Sequence, residues 1–215
     1  MITLYGINRI FPEGIGETKD LRIQWALEEL GLPYNFHGLD QTVGELDSLE
    51  YIKLNYFHQI PTIDDDGFIL TESAAILLYL AEKTKKLIPS DFKGRMRVTQ
   101  WSLAAVSTVA PTLNYLEMIP PNEESEQKTM WTQIAHRWLS GLENRLEGRE
   151  WIACDEFTVA DILQAHVLRG IRKMDLMDNY ENLKAYYARC IARPAWLRTL
   201  ELSAKRLEVK VDDIR

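Results

Sequence analysis

Cysteine is scarce in this 215-residue chain, with Cys154 and Cys190 the whole supply. Two thiols cannot build a disulfide framework, and such sparing use suits a reducing compartment; both read as packing residues of a helical region. Positive charge is also in deficit: 25 Lys and Arg stand against 32 Asp and Glu, for a formal net charge of -7. Binding to nucleic acid or to an acidic membrane surface needs a basic face that releases counterions, so neither partner is expected. Long apolar runs are missing too. The longest, around Ala74 to Ala81, falls far short of the roughly 20 residues that a bilayer crossing needs. The opening Met1 to Tyr5 has no basic leader pattern, and the expectation is a cytoplasmic protein. No internal repeat or low-complexity tract occurs. What is present is a composition 46% apolar and 10% aromatic, enough to bury a sizeable core and incompatible with global disorder.

The hydrophobic period changes repeatedly over the first third of the chain. Residues 2–6 read as a short strand closed by glycine. Leu21, Ile23, Trp25, Ala26, Leu27 and Leu30 mark a helix over residues 18–30, with Gly31 placed to stop it. A second strand at residues 34–38 completes a β-α-β unit, which favours a parallel pair with a right-handed crossover. A helix over 43–53 follows. Residues 60–64, the turn Asp65-Asp66-Gly67 and residues 68–70 form a β-hairpin, and 72–83 an amphipathic helix. This βαβαββα order over residues 1–84 resembles a thioredoxin-like α/β domain. Residues 85–92, with a proline and several charges, read as a linker. From 93 to 215 only helical patterns appear: 95–118 bent at Pro111, then 123–146, 159–173, 181–192 and 195–207, with Pro194 separating the last two. The expected architecture is an α/β domain followed by an all-α helical domain.

Four segments in this order resemble the cytosolic glutathione transferase superfamily across essentially the whole chain. Trp25-Ala26-Leu27-Glu28-Glu29-Leu30-Gly31-Leu32-Pro33-Tyr34 is similar to that family's first helix and its exit into the second strand. Asn55-Tyr56-Phe57-His58-Gln59-Ile60-Pro61-Thr62-Ile63 resembles its Asn-Pro-x-Gly-x-Val-Pro-x-Leu loop, with Tyr56 and His58 where that pattern has proline and glycine. Thr71-Glu72-Ser73-Ala74-Ala75-Ile76 resembles its Glu-Ser-x-Ala-Ile helix start, and Phe157-Thr158-Val159-Ala160-Asp161 its helical-domain capping segment. The resemblance implies glutathione as co-substrate, no metal, a hydrophobic electrophile as second substrate, and a homodimer in which the helix after Glu72 packs on the partner's first long helix.

The implied glutathione-binding residues are Gln59, Ile60, Pro61, Glu72 and Ser73. Proline at a strand start adopts cis or trans; the cis form turns the preceding N–H and C=O outward, towards the tripeptide backbone. Exposed N–H groups and the dipole at a helix start suit a carboxylate, so Ser73 would hold the γ-glutamyl carboxylate and Glu72 counter its ammonium, while Thr71 and Glu72 also suit simple capping. Glutathione chemistry needs a thiolate, hence a hydrogen-bond donor near a helix N-terminus. Aligned backwards from Trp25, the family's Ser-x-x-x-Arg-Val pattern falls on Thr18 to Ile23 and puts the hydroxyl at Thr18, which equally suits an N-cap. Tyr5 competes for this role but sits within a strand. The stretch Ile7 to Glu17 is longer than the family's short turn. The second-substrate pocket is expected between the domains, walled by Phe11, Trp101, Tyr115 and Met118. His58 reads as a rim residue; His37, His136 and His166 lack metal spacing. Thr158 and Asp161 form a structural capping box. Three activities remain open: transfer of glutathione to an electrophile, glutathione-dependent disulfide or peroxide reduction, and a non-catalytic binding or interaction module.

Overall fold

The computed structural model describes residues 1–120 and 123–215. They pack as two units, one of Met1–Thr84 with Arg193–Arg215 and one of Lys85–Ala192.

In the first unit β1 (Ile2–Arg9), β2 (Tyr34–Asp40), β3 (Thr62–Asp65) and β4 (Phe68–Thr71) pair in the order β2-β1-β3-β4. The β1 and β2 pair is parallel, from Ile2 opposite Tyr34 to Ile7 opposite Leu39, and the other two pairs are antiparallel. A parallel pair needs a crossover, which α1 (Asp20–Leu30) supplies. Strand β1 does not stop at Gly6 as expected but continues to Arg9. Gly6 is a packing glycine rather than a breaker: a Cβ there would lie 2.4 Å from Asp20 Oδ2 and 2.6 Å from the Phe36 ring. Helix α1 ends as anticipated at Gly31, whose φ of 63° is left-handed and whose N–H reaches the Leu27 carbonyl. The helix expected over 43–53 is instead two short 3-10 turns, Gln41–Val43 and Glu45–Asp47, and then α2 (Leu49–Ile52). Gly44 between the turns takes φ 77°, which no α-helix accommodates. Helix α3 (Ser73–Thr84) closes this part of the chain.

The helix α9 (Pro194–Leu207), expected in the helical domain, packs on α1 in the first unit. Trp196 meets Trp25 with ring centroids 4.8 Å apart, and Arg193 grips the Glu29 carboxylate with two bonds of 2.6 and 2.8 Å. The correction has a physical cause. Helix α1 buries Leu21, Ile23, Trp25, Ala26, Leu27 and Leu30 together with Arg22 and Gln24, so it needs cover beyond the sheet and α3.

In the second unit, residues 85–91 carry no regular element, and the Leu87 carbonyl accepts the Val159 N–H at 3.1 Å. Helix α4 (Phe92–Leu103) is capped by Asp91 and runs into a π-helical segment, Ala104–Val109, before α5 (Ala110–Met118). The expected disturbance at Pro111 thus takes the form of a widened turn just ahead of it; proline has no N–H to give and crowds the carbonyl four residues back. Helix α6 (Glu126–Leu146) begins at a Ser125 cap, and α7 (Val159–Arg169) and α8 (Glu181–Ile191) follow. Every residue of α7 is buried, which makes it the axis of this unit. Its start shows the expected capping box, with Asp161 accepting the Thr158 N–H at 2.8 Å.

Candidate functional site

Register alone brings Pro61 and Glu72, two of the expected glutathione-binding residues, to one end of the sheet. Thr62 pairs with both Tyr5 and Thr71, so Pro61, Gly6 and Glu72, one residue further along each chain path, share that end. The Ile60-Pro61 peptide bond is cis. Ile60 precedes the first paired residue, Thr62, and its backbone lies outside the ladder. The loop before it is built from a buried asparagine. Asn55 Nδ2 donates to the Gln59 carbonyl at 2.7 Å and to Thr62 Oγ1 at 3.1 Å, while Asn55 Oδ1 accepts the Phe57 N–H at 3.0 Å. The Tyr51 hydroxyl donates to the same Gln59 carbonyl at 2.7 Å. His58, standing where the resembled loop has glycine, takes the left-handed φ of 54° that a glycine would supply, and its ring contacts Asp47 at 2.8 Å.

Glu72 also has a left-handed φ, 67°, and its exposed side chain stands at the threshold of α3. A non-glycine residue held there is uncommon and concentrates at ligand sites. Ser73 opens α3 and is buried. Its Oγ accepts from Arg22 Nη1 at 3.0 Å, which ties the start of α3 to α1. With a lone pair engaged by a guanidinium, the hydroxyl proton is left to donate away from Arg22. Thr18 lies in the turn ahead of α1; its carbonyl accepts the Leu21 N–H at 3.3 Å and its hydroxyl hydrogen-bonds the Asp20 carboxylate. Lys19 occupies the N-cap position, one helical turn before Arg22 on the same face, within electrostatic reach of Glu72. Two helix N-termini therefore meet one unpaired strand start, with a carboxylate and two cations around them.

A profile described as Glutathione S-transferase, N-terminal domain, matches residues 13–82, and one described as Glutathione S-transferase, C-terminal domain, matches residues 110–197. A glutathione transferase from Burkholderia graminis, solved with two glutathione molecules bound per subunit, is 30% identical, covers 93% of this chain and 87% of its own, and superposes with a TM-score of 0.81. This chain belongs to the glutathione S-transferase family. A Pseudomonas putida glutathione transferase solved with one glutathione disulfide per subunit is similar at 25% identity and TM-score 0.81, covering 94% of this chain and 91% of its own. A glutathione S-transferase from Hyoscyamus muticus is 27% identical over 84% of this chain and 92% of its own length.

The two hydroxyls weighed for thiol activation have different electrostatic surroundings in this family member. Tyr5 lies between the rings of His37 and Tyr51, at centroid distances of 4.8 and 6.1 Å. Its pKa is raised, first by burial and then by Asp64, which makes its phenol a poorer proton donor. Around Thr18 the charges are cationic: burial holds Arg22 down to about 10, still protonated at neutral pH, and Lys19 is lowered by burial and by Arg22 while Glu72 acts the other way. Sequence reasoning passed over Arg22 and Lys19 as site residues, although both fall inside the aligned segment; the missing signal was the reach from α1 to Ser73, which spans 51 positions in the chain.

The four residues expected at a second-substrate pocket fall in different units. Phe11, exposed, precedes the 3-10 turn Pro12–Gly14 in the first. In the second, Trp101 lies under the Arg145 guanidinium at 5.4 Å, Tyr115 packs on Trp131 at 5.0 Å, and Met118 is 83% exposed. Among the described residues no group of three or more His, Cys, Asp or Glu is arranged to hold a metal, and no helix is long and apolar enough to cross a membrane.

Proposed function

We propose that this chain is a glutathione transferase that binds the tripeptide in extended form along the Ile60-Pro61 edge. The observation that carries the reading is the convergence of the Glu72-Ser73 helix start, cross-tied by Arg22, with the unpaired backbone ahead of Thr62. Ser73 N–H and hydroxyl take the γ-glutamyl carboxylate at the positive end of α3, and Glu72 takes its ammonium. The Ile60 N–H and C=O pair with the cysteinyl backbone. Thr18 then donates its hydroxyl hydrogen bond to the thiolate, whose sulfur bonds to an electrophilic carbon as that carbon's leaving group departs. Phe11, exposed and in the same unit as Thr18, is the apolar candidate for contact with the acceptor.

Affinity for glutathione by calorimetry tests the binding half. Glu72→Ala with Ser73→Ala is expected to weaken it by at least about tenfold, the loss of one charge-assisted contact; unchanged affinity removes this site. A second reading, glutathione-dependent disulfide reduction, is favoured by the Pseudomonas putida relative with glutathione disulfide and the Burkholderia graminis relative with two glutathiones per subunit. Turnover of a chloro-aromatic acceptor against a glutathione-coupled disulfide separates the two. A homodimer fits the exposed Phe92, Met96 and Leu103, spaced along one face of α4, and sedimentation near the monomer mass of 24.9 kDa would contradict it. A cytoplasmic setting accords with two free thiols, Cys154 and Cys190.

A further inference from the structure

Behind Thr18 lies a carboxylate with nowhere obvious to spend its charge. Asp20, the first residue of α1, has no solvent exposure. Its Oδ2 accepts the Ile7 N–H at 3.3 Å and lies 3.8 Å from the Arg206 guanidinium of α9. Its Oδ1 is buried and has no hydrogen-bond partner among the described residues. Arg206 itself is held by the Ile7 carbonyl at 3.0 Å and by Gln24 Oε1 at 3.2 Å, and lies 3.6 Å from the centre of the Phe36 ring, so it is a fixed and partly shared cation. A buried carboxylate that is only partly satisfied is costly, and such a group calls for a reason.

Thr18 supplies one, because its hydroxyl is already hydrogen-bonded to this carboxylate. We propose that Asp20 accepts the thiol proton of glutathione through the Thr18 hydroxyl, a positioning residue and proton sink one step removed from the sulfur. The proposal rests on the reading of Thr18 as the thiol-activating group. In the step, the Thr18 O–H proton moves to an Asp20 oxygen while the S–H proton moves to Thr18 Oγ. One S–H and one O–H bond break and two O–H bonds form. The products are a thiolate held by the renewed Thr18 hydroxyl and a neutral Asp20. Net charge is unchanged; the negative charge has moved from a dry carboxylate to a polarizable sulfur at the mouth of two helix dipoles.

The charge environment suits an acceptor that changes state. Burial raises the Asp20 pKa above the ordinary carboxylate value, opposed by the Thr18 hydroxyl, Arg206 and the Ile7 N–H in that order. From α2, Tyr51 faces it as a neutral phenol, its pKa pushed up to about 12 chiefly by burial. From β2, Phe36 adds no charge; Lys19 and Arg22 are the cations of α1 itself. Asp20 is therefore readier than an ordinary carboxylate to take a proton.

The test is the pH dependence of kcat/KM and of the ultraviolet absorbance of the bound glutathione thiolate. Asp20→Asn is expected to raise the apparent pKa of the bound thiol and lower kcat/KM at neutral pH by about 10²-fold, the usual scale of a lost general base, while glutathione affinity holds. Thr18→Val should do the same, and the double variant no more than the larger single loss. Thr18→Val without a shift in the thiol pKa defeats the Thr18 reading itself. A shift in Thr18→Val with none in Asp20→Asn overturns the relay alone. If Asp20→Asn does not fold, Arg206→Gln decides: removing the cation raises the Asp20 pKa, so the acid limb of kcat/KM must move to higher pH with its plateau kept, and an unmoved limb overturns the proposal.

Discussion

At the scale of single residues, the site depends on atoms that leave no room. Gly6 sits in β1 opposite Gly38, with the Asp20 carboxylate and the Phe36 ring where a Cβ would go. Gly6→Ala is expected to cost about 1–3 kcal/mol, the range for overpacking a filled interior, and to displace Asp20 with a loss in kcat/KM; urea unfolding and steady-state kinetics read the two effects. Asp65 provides a pH signature of the same unit. Lys83 hydrogen-bonds it and the Tyr79 hydroxyl donates to it at 2.7 Å, and together they hold its carboxyl below the ordinary 3.8, with the Lys83 bond the larger cause. A folded-state pKa lowered in this way contributes stability that is present above the unfolded value and lost as pH falls through the depressed one. Lys83→Met should flatten the acid side of the melting temperature against pH, and an unaltered acid side would deny the pair this role.

At the scale of elements, two helices organise their units, α7 buried along its whole length and α1 along all but Glu28 and Glu29. Helix α1 carries Thr18, Asp20 and Arg22 at its start, and its position is what aims them. Helix α7 has no counterpart in chemistry; Asp161 is its anchor, accepting from the Ile152 N–H at 2.9 Å, the Thr158 N–H at 2.8 Å and the Tyr186 hydroxyl at 3.0 Å. Burial raises its pKa and these donors oppose the rise. Asp161→Ala strands four buried donors, the Thr158 hydroxyl being the fourth, and should destabilise the helical unit by about 3 kcal/mol, at the upper end for groups left unpaired; chemical denaturation followed by Trp fluorescence measures it. Glutathione affinity, which depends on the other unit's residues, is expected to survive in the folded fraction.

At the scale of the whole molecule, a helix late in the sequence, α9, covers the first unit. Helix α9 places Trp196 on Trp25, Arg193 on Glu29, Arg198 on Glu28 at 3.2 Å, and Arg206 on the β1 carbonyl of Ile7. The Arg193 pair is forked, with the Glu29 side chain only 9% exposed, and is worth more than an exposed surface pair. A chain cut after Ala192 is therefore expected to lose cooperative unfolding of the α/β unit and its glutathione affinity, although every expected glutathione contact is still encoded. Retention of both in such a truncation would show that α9 is dispensable.

Local pattern carried much of this. The succession of strands along the chain up to residue 71, the stop of α1 at Gly31, the Thr158 and Asp161 capping box and the Glu72-Ser73 helix start all follow from nearest neighbours in the chain, because propensity, turn chemistry and capping act over a few residues. Where β1 ends, the identity of the helix covering α1, and the linking of Thr18 to Asp20 and Arg206 do not. Those depend on contacts between positions up to 199 apart, such as Arg206 with Ile7. An amphipathic stripe says that a helix must be covered, and only the three-dimensional packing says by what.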